Sequence, residues 1–224
     1  MIKAVIFDLD DLMIDSEIYY FEAMDLLLNR HGKSAPQEWF GPMIGLDNYQ
    51  CAEYVIENAQ LPLTPVEYIN ETQNIMIDFI PKMATPNPGL LELIDDLLGL
   101  NMKLGVASNS FRTYVRLTLE ELGIIDFFSC IFSADDVVVG KPEPEIYLLA
   151  AQCLGVPPKH CLALEDSPSG MTAALAAGMS CVVIPNSHIK EADFTGAMHV
   201  FQSLVELRKT LPAVLNNHKG RISS

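Results

Sequence analysis

The 224-residue sequence predicts an α/β fold: an open parallel sheet with helices on both faces, interrupted after its first strand by an all-helical block. Three observations predict it. Five short apolar runs lack polar alternation, as strands buried on both faces do. Helical patterns that stop at glycine separate the later runs, giving the βαβα rhythm of parallel sheets. Between the first and second runs, residues 16–85 hold helical patterns only.

In chain order, the first strand covers residues 4–8 (AVIFD). Helices follow over 17–31, 47–59 and 65–80, and Pro81, Pro86 and Pro88 punctuate the return to the sheet. Pro88 suits a first helical position, so a helix is placed at 88–98. Strands then fall at 103–107 (KLGVA), 130–133 (CIFS), 161–165 (CLALE) and 181–184 (CVVI). Helices at 110–122, 144–154 and 169–177 lie between them, ending at Gly123, Gly155 and Gly178. The expected division is a core of residues 1–15 and 86–212, a helical cap of 16–85, and a frayed tail at 213–224, where periodicity is lost. No repeat or low-complexity segment is present.

Composition removes several function classes. The formal net charge is −15, with 50% hydrophobic and 19% charged residues. Such a chain is too apolar for a disordered acidic protein. It repels nucleic-acid phosphates and anionic lipid surfaces. No apolar run approaches the roughly 18 residues of a membrane span, and Asp8 and Asp10 break the first apolar stretch, so a signal peptide is not expected. The five cysteines (51, 130, 153, 161 and 181) form no CxxC and are odd in number, and Cys130, Cys161 and Cys181 sit in strand runs, which reads as buried reduced thiols of a cytoplasmic protein. The five histidines lack metal-ligand spacing, so zinc is not indicated. A monomer is the default.

Ligands of a parallel sheet gather at the carboxyl ends of its strands. There the sequence places Asp8, Asp10, Asp11 and Asp15, then Ser108, Asn109 and Ser110, then Lys141 in the loop after the third strand, then Glu165, Asp166 and Ser167. Converging carboxylates need a cation. Oxygen ligands without His or Cys select a hard ion, and Mg²⁺ is the expected one. A metal that keeps waters, beside one lysine and several hydroxyl and amide donors, suits a phosphoryl group, and a helix opened by Ser110 would add its N-terminus. One carboxylate can then attack phosphorus while a second, two residues on, acts as general acid and base.

These residues carry a resemblance. FDLDDLMIDSE at 7–17, VASNS at 106–110, GKPEPEIY at 140–147 and EDSPSGMTAALAAGM at 165–179 resemble the haloacid dehalogenase superfamily, in its phosphatase branch with a helical cap between the first two strands. The similarity runs over about residues 1–210 and implies a Rossmann-like core. It implies Asp8 as nucleophile and Mg²⁺ ligand. Asp10 would be general acid/base and bind the metal through its backbone carbonyl. Ser108 and the Asn109 backbone would hold phosphoryl oxygens, and Lys141 would bridge nucleophile and phosphoryl charge. Asp166 would bind Mg²⁺, with Glu165 beside it as a direct or water-mediated ligand. The superfamily's dehalogenases lack the second motif aspartate, which is present here as Asp10, so the implied reaction is phosphoryl transfer on a small phosphorylated metabolite through an aspartyl phosphate.

One position departs from the family pattern: Asp11 stands where the family has glycine, in a tight turn. Three effects are open for it, disturbing the flap, tightening cation binding or slowing attack by an anionic substrate, and Asp11→Gly is expected to keep or raise turnover. A sugar phosphomutase of the β-phosphoglucomutase type is an alternative. At the positions matching that family's basic cap residues stand Asn48 and Met76, Tyr20 replaces its flap-following histidine, and Phe111 its basic residue after the serine pair, with Arg112 nearby as a partial substitute. The cap sequence at 45–72 also looks like pseudouridine-5′-phosphatase and sugar-phosphate phosphatases. It carries ten acidic side chains against three basic ones over 16–85, which favours hydrolysis of a monophosphate with a polar neutral leaving group. A non-catalytic binding protein, with Asp11 as a sign of decay, is the third reading.

Overall fold

The computed structural model describes residues 1–43, 46, 48–186, 189 and 192–216. The chain runs β1 (Ala4–Phe7), α1 (Glu17–Arg30), α2 (Phe40–Met43), α3 (Asn48–Ala59), α4 (Pro65–Met83), α5 (Leu90–Gly99), β2 (Lys103–Ala107), α6 (Arg112–Glu121), β3 (Cys130–Phe132), α7 (Glu145–Leu154), β4 (Cys161–Glu165), α8 (Pro168–Ala176), β5 (Ser180–Val183), β6 (His199–Val200) and α9 (Leu204–Asn216). All strand pairs are parallel, in the order β3-β2-β1-β4-β5-β6. This is the expected α/β, Rossmann-like architecture, and helices α1–α4 form the expected interruption between β1 and β2.

Strand alternation sorts the core. Val5 and Phe7 point into the larger apolar cluster, built with α5, α6, α9 and the inserted helices, whereas Ala4 and Ile6 point into a second cluster under α7 and α8. Every residue of β1 and β4 is buried, which is why neither strand alternates in sequence. Phe7 pairs with Val106 on one side and Leu164 on the other, so β1, β2 and β4 end level. That register delivers the segments starting at Asp8, Ser108 and Glu165 to one edge of the sheet.

Several expectations are corrected. Helix α4 runs through Pro81 to Met83, since Pro81 lies on the exposed face while Ile80 and Met83 are buried. Helix α9 likewise passes Pro212 and reaches Asn216, where burial of Val214 and Leu215 outweighs the missing backbone donor; the expected frayed tail falls partly on this helix, and 217–224 lie outside the described residues. Ser110 does not open a helix; α6 begins at Arg112 after an extended Phe111. Cys130 is not a reduced thiol but is bonded to Cys153, because α7 packs on β3 with the two Cα atoms 6.3 Å apart. Cys161 and Cys181 are buried thiols as expected. Short helical turns at Gln37–Trp39 and α2, and the two-residue edge strand β6, were not anticipated.

Candidate active site

Asp8 leaves β1 at the level sheet edge, and its Oδ1 accepts from the Lys141 ammonium at 2.5 Å. The same ammonium donates to Glu165 Oε1 at 2.6 Å, and the Tyr147 hydroxyl donates to that oxygen as well. Lys141 stands 5.2 Å from the centre of the Tyr147 ring, a cation–π distance. All four side chains are buried. Burial alone would push the lysine down, but Asp8 and Glu165 outweigh it and hold the ammonium above its ordinary range. Burial pushes the Asp8 carboxyl well up, against the pull of Lys141. Burial does the same to Asp166, with Asp8 and Glu165 adding to the rise.

Asp8, Glu165 and Asp166 each bring a carboxylate oxygen within 4.8 Å of the others. Three buried carboxylates face a single ammonium, so acidic groups outnumber basic ones in a place where solvent screening is weak. The donor set is all oxygen, and a hard divalent cation fits it. Glu165 is the most constrained member. It is wholly buried, and a Cβ on Gly170 would lie 2.0 Å from its carboxylate, so the glycine of α8 makes room for the glutamate.

Asp10 is held differently. Its Oδ2 accepts from Ser110 Oγ at 2.7 Å and its Oδ1 from the Tyr114 hydroxyl at 2.8 Å. Ser110 also exchanges a hydrogen bond with the Tyr20 hydroxyl of α1 at 3.0 Å. The Asn109 side chain takes both polar groups of the Lys141 backbone: Oδ1 accepts from its N–H at 2.8 Å and Nδ2 donates to its carbonyl at 3.1 Å. Ser108 is fully buried, its Oγ accepting the Ser110 N–H at 3.0 Å. Asn109 and Ser110, rather than Ser108, line the cavity described next. Ser110 was expected at this strand end and Tyr20 at the place of the mutase family's histidine, whereas Tyr114 and Tyr147 are site neighbours for which the sequence carries no local signal.

A cavity of about 290 Å³ lies between this floor and the inserted helices. Its floor is Asp8, Asp10, Asn109, Ser110, Lys141 and Asp166; its upper wall includes Tyr20, Phe21, Met24, Met43, Tyr68 and Ile69, with Asn48, Thr72 and Gln73 as polar points. Among the described residues on its wall, Lys141 is the one basic side chain. Arg112 is directed elsewhere, with its guanidinium 2.6 Å from Asp136. Met76 is buried among the inserted helices and does not line the cavity. Of the 45–49 loop, Gly45 and Asp47 lie outside the described residues.

Asp11 has a left-handed backbone, φ 58°. Its Oδ1 accepts from Ser16 N–H, Ser16 Oγ and Glu17 N–H at 3.0, 3.2 and 3.0 Å, and its Oδ2 accepts from Asn186 Nδ2 at 3.1 Å. Burial, with Asp10 beside it, pushes this carboxyl up to about 6, against the pull of those donors. The side chain is thus bonded into the turn instead of projecting from it.

Comparison with known proteins agrees with the motifs. A haloacid dehalogenase-like hydrolase profile matches residues 5–184. The Bacillus subtilis protein YhcW, a phosphatase by name, is 37% identical over 214 residues, covering 94% of this chain and 96% of the relative. A Drosophila melanogaster protein named "Probable pseudouridine-5'-phosphatase" is 33% identical over 209 residues, covering 91% of this chain and 90% of the relative. Among solved structures, β-phosphoglucomutase from Clostridium difficile superposes with a TM-score of 0.80 at 27% identity, covering 97% of this chain and 99% of that one.

Proposed function

The chain belongs to the haloacid dehalogenase-like hydrolases and is a phosphatase of that family, and on that premise we propose that it is a Mg²⁺-dependent phosphomonoesterase. Its substrate would be a small phosphorylated metabolite, a sugar phosphate or nucleoside monophosphate, handled through an aspartyl phosphate. The observation that carries the proposal is the buried Asp8–Lys141–Glu165 arrangement on the cavity floor, with Asp166 beside it. Asp8, Asp166 and the Asp10 carbonyl would hold the metal, with Glu165 near it; when bound, Mg²⁺ supplies positive charge to the phosphoryl oxygens and their neighbouring carboxylates.

In this mechanism Lys141 keeps Asp8 ionised and oriented, so one carboxylate oxygen forms the new O–P bond. The bond from phosphorus to the leaving oxygen breaks, and Asp10 gives that oxygen a proton. Asp10 then removes a proton from water, whose oxygen attacks phosphorus, releasing phosphate and restoring Asp8. Asn109, by its two bonds to the Lys141 backbone, holds the lysine loop in register with the floor. Residues 16–85 would act as a cap over the core of 1–15 and 86–212, excluding water during transfer.

Phosphate release from a panel of sugar phosphates, nucleoside monophosphates and pseudouridine monophosphate, with Mg²⁺ and with chelator, tests the reading. Release from at least one compound, dependent on Mg²⁺ and lost in Asp8→Asn, is expected. No release from the panel or from an aryl phosphate, or release that survives Asp8→Asn, overturns it. A bisphosphate-stimulated isomerisation without phosphate release would instead mark a phosphomutase; among the described residues of the cavity wall Lys141 is the one cation, which favours a single phosphoryl group. The proposal has the protein working as a cytoplasmic monomer.

A further inference from the structure

We propose that Asp11 is a positioning residue: its carboxylate pins the first turn of α1 to the core and so sets where the inserted helices rest over Asp8. The inference rests on the reading of residues 16–85 as a cap.

Four separate pieces of chain meet at this one residue. The first is the start of α1. The early N–H groups of a helix have no partner within the helix, and Ser16, in the N-cap position of α1, makes no side-chain cap bond. Asp11 replaces it from five residues upstream, taking the Ser16 and Glu17 N–H groups on one oxygen. A carboxylate there also meets the positive end of the helix dipole. The second piece is the loop after β5, where Asn186 donates to the other carboxylate oxygen. The third is the outgoing linker between Asp11 and Ser16. The fourth is the returning linker: Asn87 Nδ2 donates to the Asp11 carbonyl at 3.2 Å and to the Leu12 carbonyl at 2.9 Å. Asn87 N–H donates to Met13, and Ile14 bridges to Pro86.

The backbone part of this junction needs only a left-handed residue, which glycine supplies without strain. The bonds to α1 and to Asn186 need the carboxylate. Tyr20, one turn into α1 from the pinned amides, carries the hydroxyl bonded to Ser110, which in turn holds Asp10. A shift at the start of α1 is therefore transmitted to the wall of the cavity and to the partner of Asp10. The expectation that Asp11 merely disturbs a glycine turn gives way to one in which it fastens that turn.

Hydrogen–deuterium exchange on the full chain, read at residues 12–17 and 84–88, tests this without relying on turnover. The variants are Asp11→Gly, which relieves the left-handed strain while removing the carboxylate, and Asp11→Asn, which keeps an acceptor for the two α1 amides. In Asp11→Gly, exchange at Ser16 and Glu17 should rise about tenfold or more, the scale of a lost hydrogen bond to a charged group. KM for the best metabolite found should rise more than KM for a small aryl phosphate. Asp11→Asn should exchange close to the parent at Ser16 and Glu17. Parent-like exchange in Asp11→Gly overturns the proposal, as does Asp11→Asn exchanging as fast as Asp11→Gly. If no phosphatase activity exists, the exchange result still stands or falls alone.

Discussion

Replacing Lys141 with Met keeps most of the side-chain volume and removes the cation that two buried carboxylates share at 2.5 and 2.6 Å. Removing one partner of a buried ion pair costs about 3–5 kcal/mol, because the remaining charge stays buried without compensation. Domains of this size lose about 2–4 °C in Tm per kcal/mol, so the expected drop is about 6–20 °C. The measurement is thermal unfolding in chelator, so that no divalent ion substitutes for the lysine. The pH dependence follows from Asp8. Its folded-state pKa is already raised by burial, and loss of Lys141 raises it further. A carboxyl with a folded pKa above its unfolded one contributes stability at low pH, where both states are protonated, and loses it as pH rises through the folded value. The deficit of Lys141→Met against the parent should thus be small near pH 4 and grow toward pH 8. Adding Glu165→Gln should recover part of it, since one of the two stranded charges is then gone. A Tm unchanged at pH 8, or a deficit equal at pH 4 and pH 8, would show that Lys141 does not hold these carboxylates.

Other substitutions separate the roles around this floor. Asp10→Asn should lower kcat by about 10²–10⁴-fold, the usual scale of general acid–base catalysis, while the Tm increase on adding Mg²⁺ stays near that of the parent; equal losses in both contradict an acid/base role. Tyr114→Phe removes one of the two hydroxyls on Asp10 and should lower kcat about tenfold with KM little changed, as read by steady-state kinetics. Cys153→Ser opens a 23-residue covalent loop and should cost about 3 kcal/mol by chain entropy, measured by denaturant unfolding of oxidised protein. An oxidised parent with the stability of Cys153→Ser would show the bond contributes nothing.

What the sequence revealed, and what it hid, divides along physical lines. β1 and β4 were readable because burial on both faces forces continuous apolar runs. The nearness of Asp8, Asn109 and Asp166 was readable because level strand ends bring together residues that each follow a recognisable run. Boundaries failed where tertiary packing overrode a local rule, as at Pro81 and Pro212, where buried Met83 and Leu215 carry a helix past its usual stop. Tyr114 reaches Asp10 and Tyr147 reaches Glu165, while Tyr20 meets Ser110, all from helices that offer only ordinary core patterning. Tyr114 touches a residue 104 positions away, and no periodicity records such a contact. Cys130 and Cys153 likewise pair only because α7 returns across β3. Asp11 was visible as a departure, yet its meaning depended on Asn186, 175 positions on.

The formal charge of −15 is reconciled with an anionic substrate by the way the cavity divides. Its floor gathers the acidic cluster together with Lys141, and a bound divalent cation would turn that cluster from a barrier into a receptor for one phosphoryl group. Among the described residues, its upper wall carries aromatic and aliphatic side chains, the neutral polar points Asn48, Thr72 and Gln73, and the acidic Glu17. Negative charge on the leaving group would therefore meet no described cation there and would face Glu17, while carrying much of its desolvation cost into a largely apolar surround. A neutral leaving group with an apolar face loses less on entry and gains contact with Phe21, Met24 and Ile69. Discrimination between monophosphates and bisphosphates should thus arise from what the upper wall lacks, and discrimination among monophosphates from how the leaving group fills it.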